Sequence, residues 1–253
     1  MTADSPETSL DAIRREIDTI DDQILRLLMQ RSAATEKVRV TKAYDGSIAA
    51  SPFRPAREAA MMQRLIGEAG GALAPEFLVR LWRVILSNSI QSQAPITLHM
   101  DSAFGHDLAT RLLVAQHFCG MKVELHRGAG RALEALSSAR GDLALVAPSS
   151  DWAAAFSEGA AGDAQVIVTL PVLAGSGRPQ VLVFGHAAPQ ASGDDETLLL
   201  LPDETVGLPG LLWRAHSGTT TLAGVAGFLA EPPSLQPGAR LAGRYPRPIK
   251  VSP

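Results

Sequence analysis

The chain is defined first by what it lacks. Its 253 residues hold one cysteine, Cys119, so an intrachain disulfide is excluded and a reducing compartment is expected. No apolar run approaches the roughly 20 residues of a membrane span. The opening Met-Thr-Ala-Asp-Ser-Pro-Glu has neither the basic stretch nor the apolar core of a signal peptide. Cations are not in excess: 23 Lys and Arg face 26 Asp and Glu, and a net charge of −3 argues against bulk binding to nucleic acid or an anionic membrane. Solenoid-type repeats are absent. The six histidines, among them His99, His106 and His117, show no metal-ligand spacing with carboxylates or Cys119. Gly128-x-Gly130 follows a strand pattern and opens a helix pattern, but Leu133 stands where a dinucleotide fingerprint needs its third glycine. What is left is a chain 46% hydrophobic and 19% charged, which is globular and long enough for one large or two modest domains. A soluble cytoplasmic protein is expected, with no metal and no cofactor.

The two ends of the chain carry different periods. From Leu10 to Tyr44, Leu10, Ile13, Ile17, Ile20, Ile24 and Leu27 recur every three or four positions, and no Pro or Gly intervenes before Gly46. That predicts one amphipathic helix about 50 Å long, with Thr8 and Asp11 as its capping pattern. It is too long for the short helices that follow to cover, so a second copy of itself is expected as its partner. A loop from Asp45 to Pro55 leads to a second helix, about Ala56 to Ala69, stopped by Gly70-Gly71. Pro75 opens a third, whose apolar stripe is Phe77, Leu78, Leu81, Trp82, Ile85 and Leu86. Past Pro95 the pattern becomes strand (96–100), helix (104–118), strand (123–126), helix (129–139) and strand (143–147), which predicts a parallel α/β sheet. Strand-like runs follow at 166–173, 180–185 and 197–201. The last fifty residues, rich in Pro and Gly, carry no clear period.

Cations on the first helix stand where a packed seam would not choose them. Arg31 and Lys42 are eleven residues apart, close to three whole turns, and so lie on one face about 16 Å apart. Two long side chains at that distance can close on a small anion. Arg14 lies about 25 Å from Arg31 and about 100° round the helix. It suits a site on an antiparallel partner better than one on its own chain. On the third helix Ser89 and Gln93 are spaced i, i+4 on one face. Arg57 and Glu58 open the second helix, with Glu58 well placed for the helix dipole. Singly, each is ordinary: a lone arginine on a long helix is commonly solvated, and Arg57-Glu58 is an unremarkable helix start. Trp82, Met61-Met62 and Cys119 read as core.

Jointly they carry a resemblance. Residues 10–93 resemble the all-helical chorismate mutases of the AroQ class, found at the front of bifunctional chorismate mutase–prephenate dehydratases. Leu10-x-x-Ile13-Arg14-x-x-Ile17-Asp18-x-Ile20-Asp21 is similar to the family's first-helix signature, and Leu27-Leu28-x-x-Arg31 and Lys42 fall at its next active-site positions. Pro52-Phe53-Arg54-Pro55-Ala56-Arg57-Glu58 is similar to its loop-to-helix motif, with Arg54 where many members have Asp. Ser89-x-x-x-Gln93 matches the end of its third helix. The resemblance implies an intertwined three-helix dimer over residues 1–95 that rearranges chorismate to prephenate. Arg31, and Arg14 of the partner copy, would hold the carboxylates with help from Ser89. Lys42 and Gln93 would donate to the ether oxygen, Glu58 would accept from the ring hydroxyl, and Arg57 and Arg54 would line the substrate. Two alternatives stand beside this: an isochorismate-pyruvate lyase on the same helical fold, and a non-catalytic dimer that binds a metabolite and regulates a partner.

Residues 96–253 resemble the dehydratase half only faintly, as a degenerate α/β domain of periplasmic-binding type. Val146-Ala147-Pro148-Ser149-Ser150-Asp151 stands where that family has Pro-x-Glu-Asn-Ser. Pro179-Gln180-Val181 stands where it has Thr-Arg-Phe, so the chemical threonine and arginine are missing. The resemblance therefore implies no dehydratase activity. Pro209-Gly210-Leu211-Leu212-Trp213 and Leu241-Ala242-Gly243-Arg244-Tyr245-Pro246 are similar to the ends of the family's phenylalanine-sensing domain, with too little chain between them for a complete one. Weak or absent feedback by phenylalanine is expected.

Overall fold

The computed structural model describes residues 10–44, 51–173, 177–202, 207–233 and 238–250, apart from the side chains of residues 42, 43, 104 and 105. Thr8 and most of the 45–55 loop lie outside them. The chain divides into two compact units, Met1–Ser47 and Ile48–Pro253, and each is described by itself.

The described residues of the first unit form one helix, α1 (Leu10–Tyr44), with the expected bounds. Thr19, Thr35 and Thr41 fold their hydroxyls back onto the carbonyls of Arg15, Arg31 and Lys37, so these β-branched polar residues sit in a helix without unmet donors. Its apolar stripe is open: Ile13 is 41% exposed and Leu27 63%.

The second unit begins with α2 (Pro55–Ala69) and α3 (Pro75–Gln91). Proline occupies the first turn of each, where its missing N–H costs no helical bond. Gly70 ends α2 in the left-handed conformation (φ 54°) and donates to the Gly67 carbonyl. α3 buries the expected stripe only in part: Leu78 is buried, and Trp82, Ile85 and Leu86 are half-buried. Phe77 and Leu81 stay exposed, while Leu78, Val79, Arg83, Ser87, Ser89 and Ile90 are buried. The reason is a polar seam with the next helix, where Ser87 and Gln91 donate to the carbonyls of His117 and Cys119.

Among the described residues nine strands follow: β1 (Thr97–Asp101), β2 (Lys122–His126), β3 (Leu143–Val146), β4 (Gln165–Leu170), β5 (Val181–Gly185), β6 (Asp195–Leu201), β7 (Leu211–Ser217), β8 (Thr220–Ala226) and β9 (Arg240–Pro246). Between them lie α4 (Leu108–His117), α5 (Ala129–Glu134) and α6 (Ala153–Ser157), with 3-10 turns at Ser102–His106 and Ala135–Ser137. The 104–118 and 129–139 segments are thus shorter α-helices than expected, each joined to a 3-10 turn. All nine strands join one sheet in the order β2-β1-β3-β5-β4-β9-β6-β8-β7. The expected parallel pairing holds for β1 with β2 and with β3, but the sheet is mixed. β5 runs against β3 and β4, and β6 to β9 are antiparallel among themselves. Alternation tells which face a residue takes, not which way its neighbour runs.

On the inner strands β3, β5 and β6 both faces of the sheet are buried. Ala144, Val146, Leu182 and Phe184 pack on one face with Trp152 and the α5 residues Ala132 and Leu133; Leu143, Leu145, Val181 and Val183 pack on the other with Ile90, Val114 and Phe118. Each such leucine or valine contributes about 1.5–3 kcal/mol against exposure. Gly130 serves packing: a Cβ there would press on the Ala155 methyl at 3.2 Å. Gly243 is tighter still, since a Cβ would run into the Val166 backbone where β9 meets β4. Cys119 is half-buried rather than core. Among the described residues no helix is long and apolar enough to cross a membrane.

Candidate active site

The residues singled out from sequence fall on both units. Arg14, Arg31 and Lys42 are on α1. Arg14 pairs with Asp11 at 3.2 Å, and both side chains are about two thirds exposed or more, so the pair adds little stability. Arg31 is half-buried, and withdrawal from water lowers its guanidinium pKa from the ordinary value. Lys42 lies in the last turn of the helix, and its side chain lies outside the described residues.

Arg54, Arg57 and Glu58 open α2. Arg54 is its N-cap: its carbonyl accepts from Glu58 N–H at 2.9 Å, and its own N–H reaches Glu58 Oε1 at 3.5 Å. Arg57 is exposed. The other carboxylate oxygen of Glu58 pairs with Arg83 Nη1 at 2.8 Å, with both side chains close to buried. Arg83 Nη1 also lies 3.1 Å from His117 Nε2. A guanidinium only donates, so this imidazole nitrogen is the acceptor. Burial first, and the Arg83 charge second, hold the His117 pKa well below its ordinary value, so the ring is neutral. The sequence had not marked Arg83 or His117. The available signal was that Arg83 follows Val79 by four and precedes Ser87 by four, a cation on what proves to be the buried stripe.

Ser89 is buried and donates to the Ile85 carbonyl at 2.9 Å. Gln93 is not on the helix with it. α3 ends at Gln91, and Gln93 sits in the following turn with its side-chain amide donating to the Ser89 carbonyl at 2.9 Å. The two are still neighbours, joined through backbone rather than by sharing a face.

In the α/β part a cleft is lined by Thr169, Arg178, Pro179, Glu196, Arg247 and Lys250. Pro179, where the dehydratase resemblance would want a threonine, contributes a ring with no hydroxyl. Glu196 accepts from the Trp213 indole and the Tyr245 hydroxyl, and its burial raises its pKa. The fold also gathers His99 with Glu124 and His126, which lie 25 and 27 residues further along the chain. No fixed spacing announces such a group, because strand pairing creates it.

Residues 13–94 match the family described as chorismate mutase type II. A bifunctional chorismate mutase/prephenate dehydratase of Neisseria gonorrhoeae (strain ATCC 700825 / FA 1090) is 34% identical over 85 residues, which cover 34% of this chain and 22% of that protein. The match therefore spans about a fifth of the relative's length. A solved structure titled "GqqA- a novel type of quorum quenching acylases" aligns with 59% of this chain and 94% of its own at 16% identity, with a TM-score of 0.42, too loose to speak for a shared fold. Residues 13–94 are thus similar to the chorismate mutase type II family, and an α/β part built on a mixed sheet follows them.

Proposed function

We propose that residues 1–95 convert chorismate to prephenate in aromatic amino acid biosynthesis, and that residues 96–253 are a dehydratase-like domain without dehydratase chemistry. The observation that supports the first part most is joint retention. Arg14, Arg31, Lys42, Arg57, Glu58, Ser89 and Gln93 all lie within the matched segment, where the resemblance implies site residues.

The chemistry suits these residue types. The reaction is an intramolecular [3,3] rearrangement that needs neither nucleophile nor general base. It needs the dicarboxylate held in a compact conformer, which is positioning, and donors aimed at the ether oxygen, where negative charge grows as the C–O bond breaks. Arginine forks match carboxylates, a role for Arg31 and for Arg14 of a second copy. Lys42 and the Gln93 amide supply the donors. An amide donates at any pH, so position 93 imposes no acid limit on turnover. Glu58 is held by Arg83 and accepts from the ring hydroxyl. The open apolar stripe of α1 supports pairing of two copies through that helix.

The test is loss of chorismate absorbance by the purified chain and by Lys42→Ala, with products identified. Prephenate from the wild type, slowed about 10²–10³-fold in Lys42→Ala, is the expected result. Phenylpyruvate should not exceed the acid-catalysed background at neutral pH. Intact chorismate would leave the helical part a binding or regulatory module, and pyruvate released from isochorismate would make it a lyase.

A further inference from the structure

We propose that His99, Glu124 and His126 form a binding site for one divalent transition-metal ion of the zinc class. β1 and β2 are parallel neighbours, with His99 opposite Glu124 and His126 two residues further along β2. The strand period puts all three on one face of the sheet, opposite Leu98, Met100, Val123 and Leu125, which line the groove beside α4. One ligand atom from each lies within 4.8 Å of the others. His99 Nδ1 and His126 Nε2 are 2.9 Å apart, and Glu124 Oε1 is 3.9 Å from His126 Nε2.

The surroundings orient the first ligand. Asp142 Oδ2 lies 3.1 Å from His99 Nε2, and Asp142 Oδ1 accepts from the Thr97 N–H at 2.9 Å. A carboxylate only accepts, so His99 Nε2 carries a hydrogen, and Nδ1 is the ring nitrogen that faces His126. A carboxylate behind a ligating histidine is the usual support of a metal site. Two imidazoles and a carboxylate are a zinc-type donor set with a fourth position left for water. A tetrahedral ion with bonds near 2.0–2.1 Å spaces its ligands by about 3.3 Å. The two nitrogens would part by a few tenths of an ångström, and Glu124 would close by about half an ångström. Glu124 is half-exposed and can make that move; its contact with the exposed Lys122, at 3.7 Å, is weak competition. The ion would staple edge strand β2, whose residues are mostly exposed, to the buried strand β1.

The experiment uses the full chain, stripped of metal by chelator and dialysed against Zn²⁺, with Co²⁺ as a spectroscopic probe. The expected result is one equivalent bound per chain, four-coordinate Co²⁺ bands, and a thermal midpoint that rises with Zn²⁺. Asp142→Asn should weaken binding about 10–100-fold. Glu124→Gln, an exposed change that leaves the strand intact, should weaken it as well, and His126→Gln should remove it. No binding by folded wild-type protein, or equal binding by a His99→Gln/His126→Gln variant, would overturn the site.

Discussion

α1 and the sheet solve the burial problem in opposite ways. In the sheet, Leu145, Val183, Leu198 and Ala223 have no measurable exposure, because neighbouring strands flank each of them and side chains from other parts of the same chain cover their faces. On α1, Ile17 and Ile24 are about half exposed, although they are as regularly spaced as any core residue in the chain. The sheet's core is closed by contacts within one chain. A helix that long, with its stripe open, gains its hydrophobic stabilisation only from something more, and intrinsic propensity alone leaves isolated helices marginal. The mutase proposal supplies that covering with a second copy, and brings Arg14 along with it.

The sharpest way to break this contrast is to place charge on the α1 stripe. Ile17→Asp with Ile24→Asp should convert a dimer to monomer in sedimentation and cost at least the roughly 10²–10³ in turnover that one lost electrostatic donor costs. Unfolding of the α/β part, followed by its tryptophans, should stay where it was. An active, unchanged dimer would remove α1 as the pairing element.

The second change works inside the other unit. Arg83→Met leaves the Glu58 carboxylate near-buried with no cation. Breaking a buried pair costs about 3–5 kcal/mol, so the denaturant midpoint should fall clearly. Adding Glu58→Gln should restore part of the stability but not the turnover. A loss below about 1 kcal/mol in Arg83→Met would show the pair to be solvated.

The smallest expected effect is a pH slope. Folding holds the His117 pKa far below its ordinary 6.5. Above that value neither state binds the proton and stability is whole. As the pH falls through it, the unfolded chain takes up a proton that the folded one does not, and stability drops until the depressed folded value is reached. His117→Gln keeps an acceptor for Arg83 and cannot titrate. Its stability should decline less steeply from about pH 7 to about pH 5, by up to about 1.4 kcal/mol per pH unit. Glu196, raised by burial, acts in the opposite sense but is common to both proteins and cancels in the difference. Equal slopes would assign the acid sensitivity elsewhere.

Much of the scaffold was legible in the residues. The bounds of α1, the Gly70 stop of α2 and the Pro75 start of α3 came from chain stiffness and backbone permissiveness, which are local properties. The first three strands and their parallel sense came from the alternation of period with helices between. The strands of the last fifty residues were hidden, because Pro and Gly break the alternation that marks a strand, and β7, β8 and β9 are held by ladder partners instead. The candidate mutase residues were readable because their spacing recurs in a known family. Arg83 and His117 were not, since nothing on either segment says that they meet.

The sequence by itself determined the three N-terminal helices, which of them carries the cations, and that Pro179 and Gln180 stand where the dehydratase resemblance would want Thr and Arg. These depend on residue type and near neighbours alone. Only the tertiary structure decided that the sheet is mixed, that α3 buries a polar seam beside part of its apolar stripe, that Glu58 belongs to Arg83, and that His99, Glu124 and His126 share a face. Each of these is a pairing between segments distant in the chain. Such pairings are fixed by the free energy of the whole packed arrangement, which no local window of sequence contains.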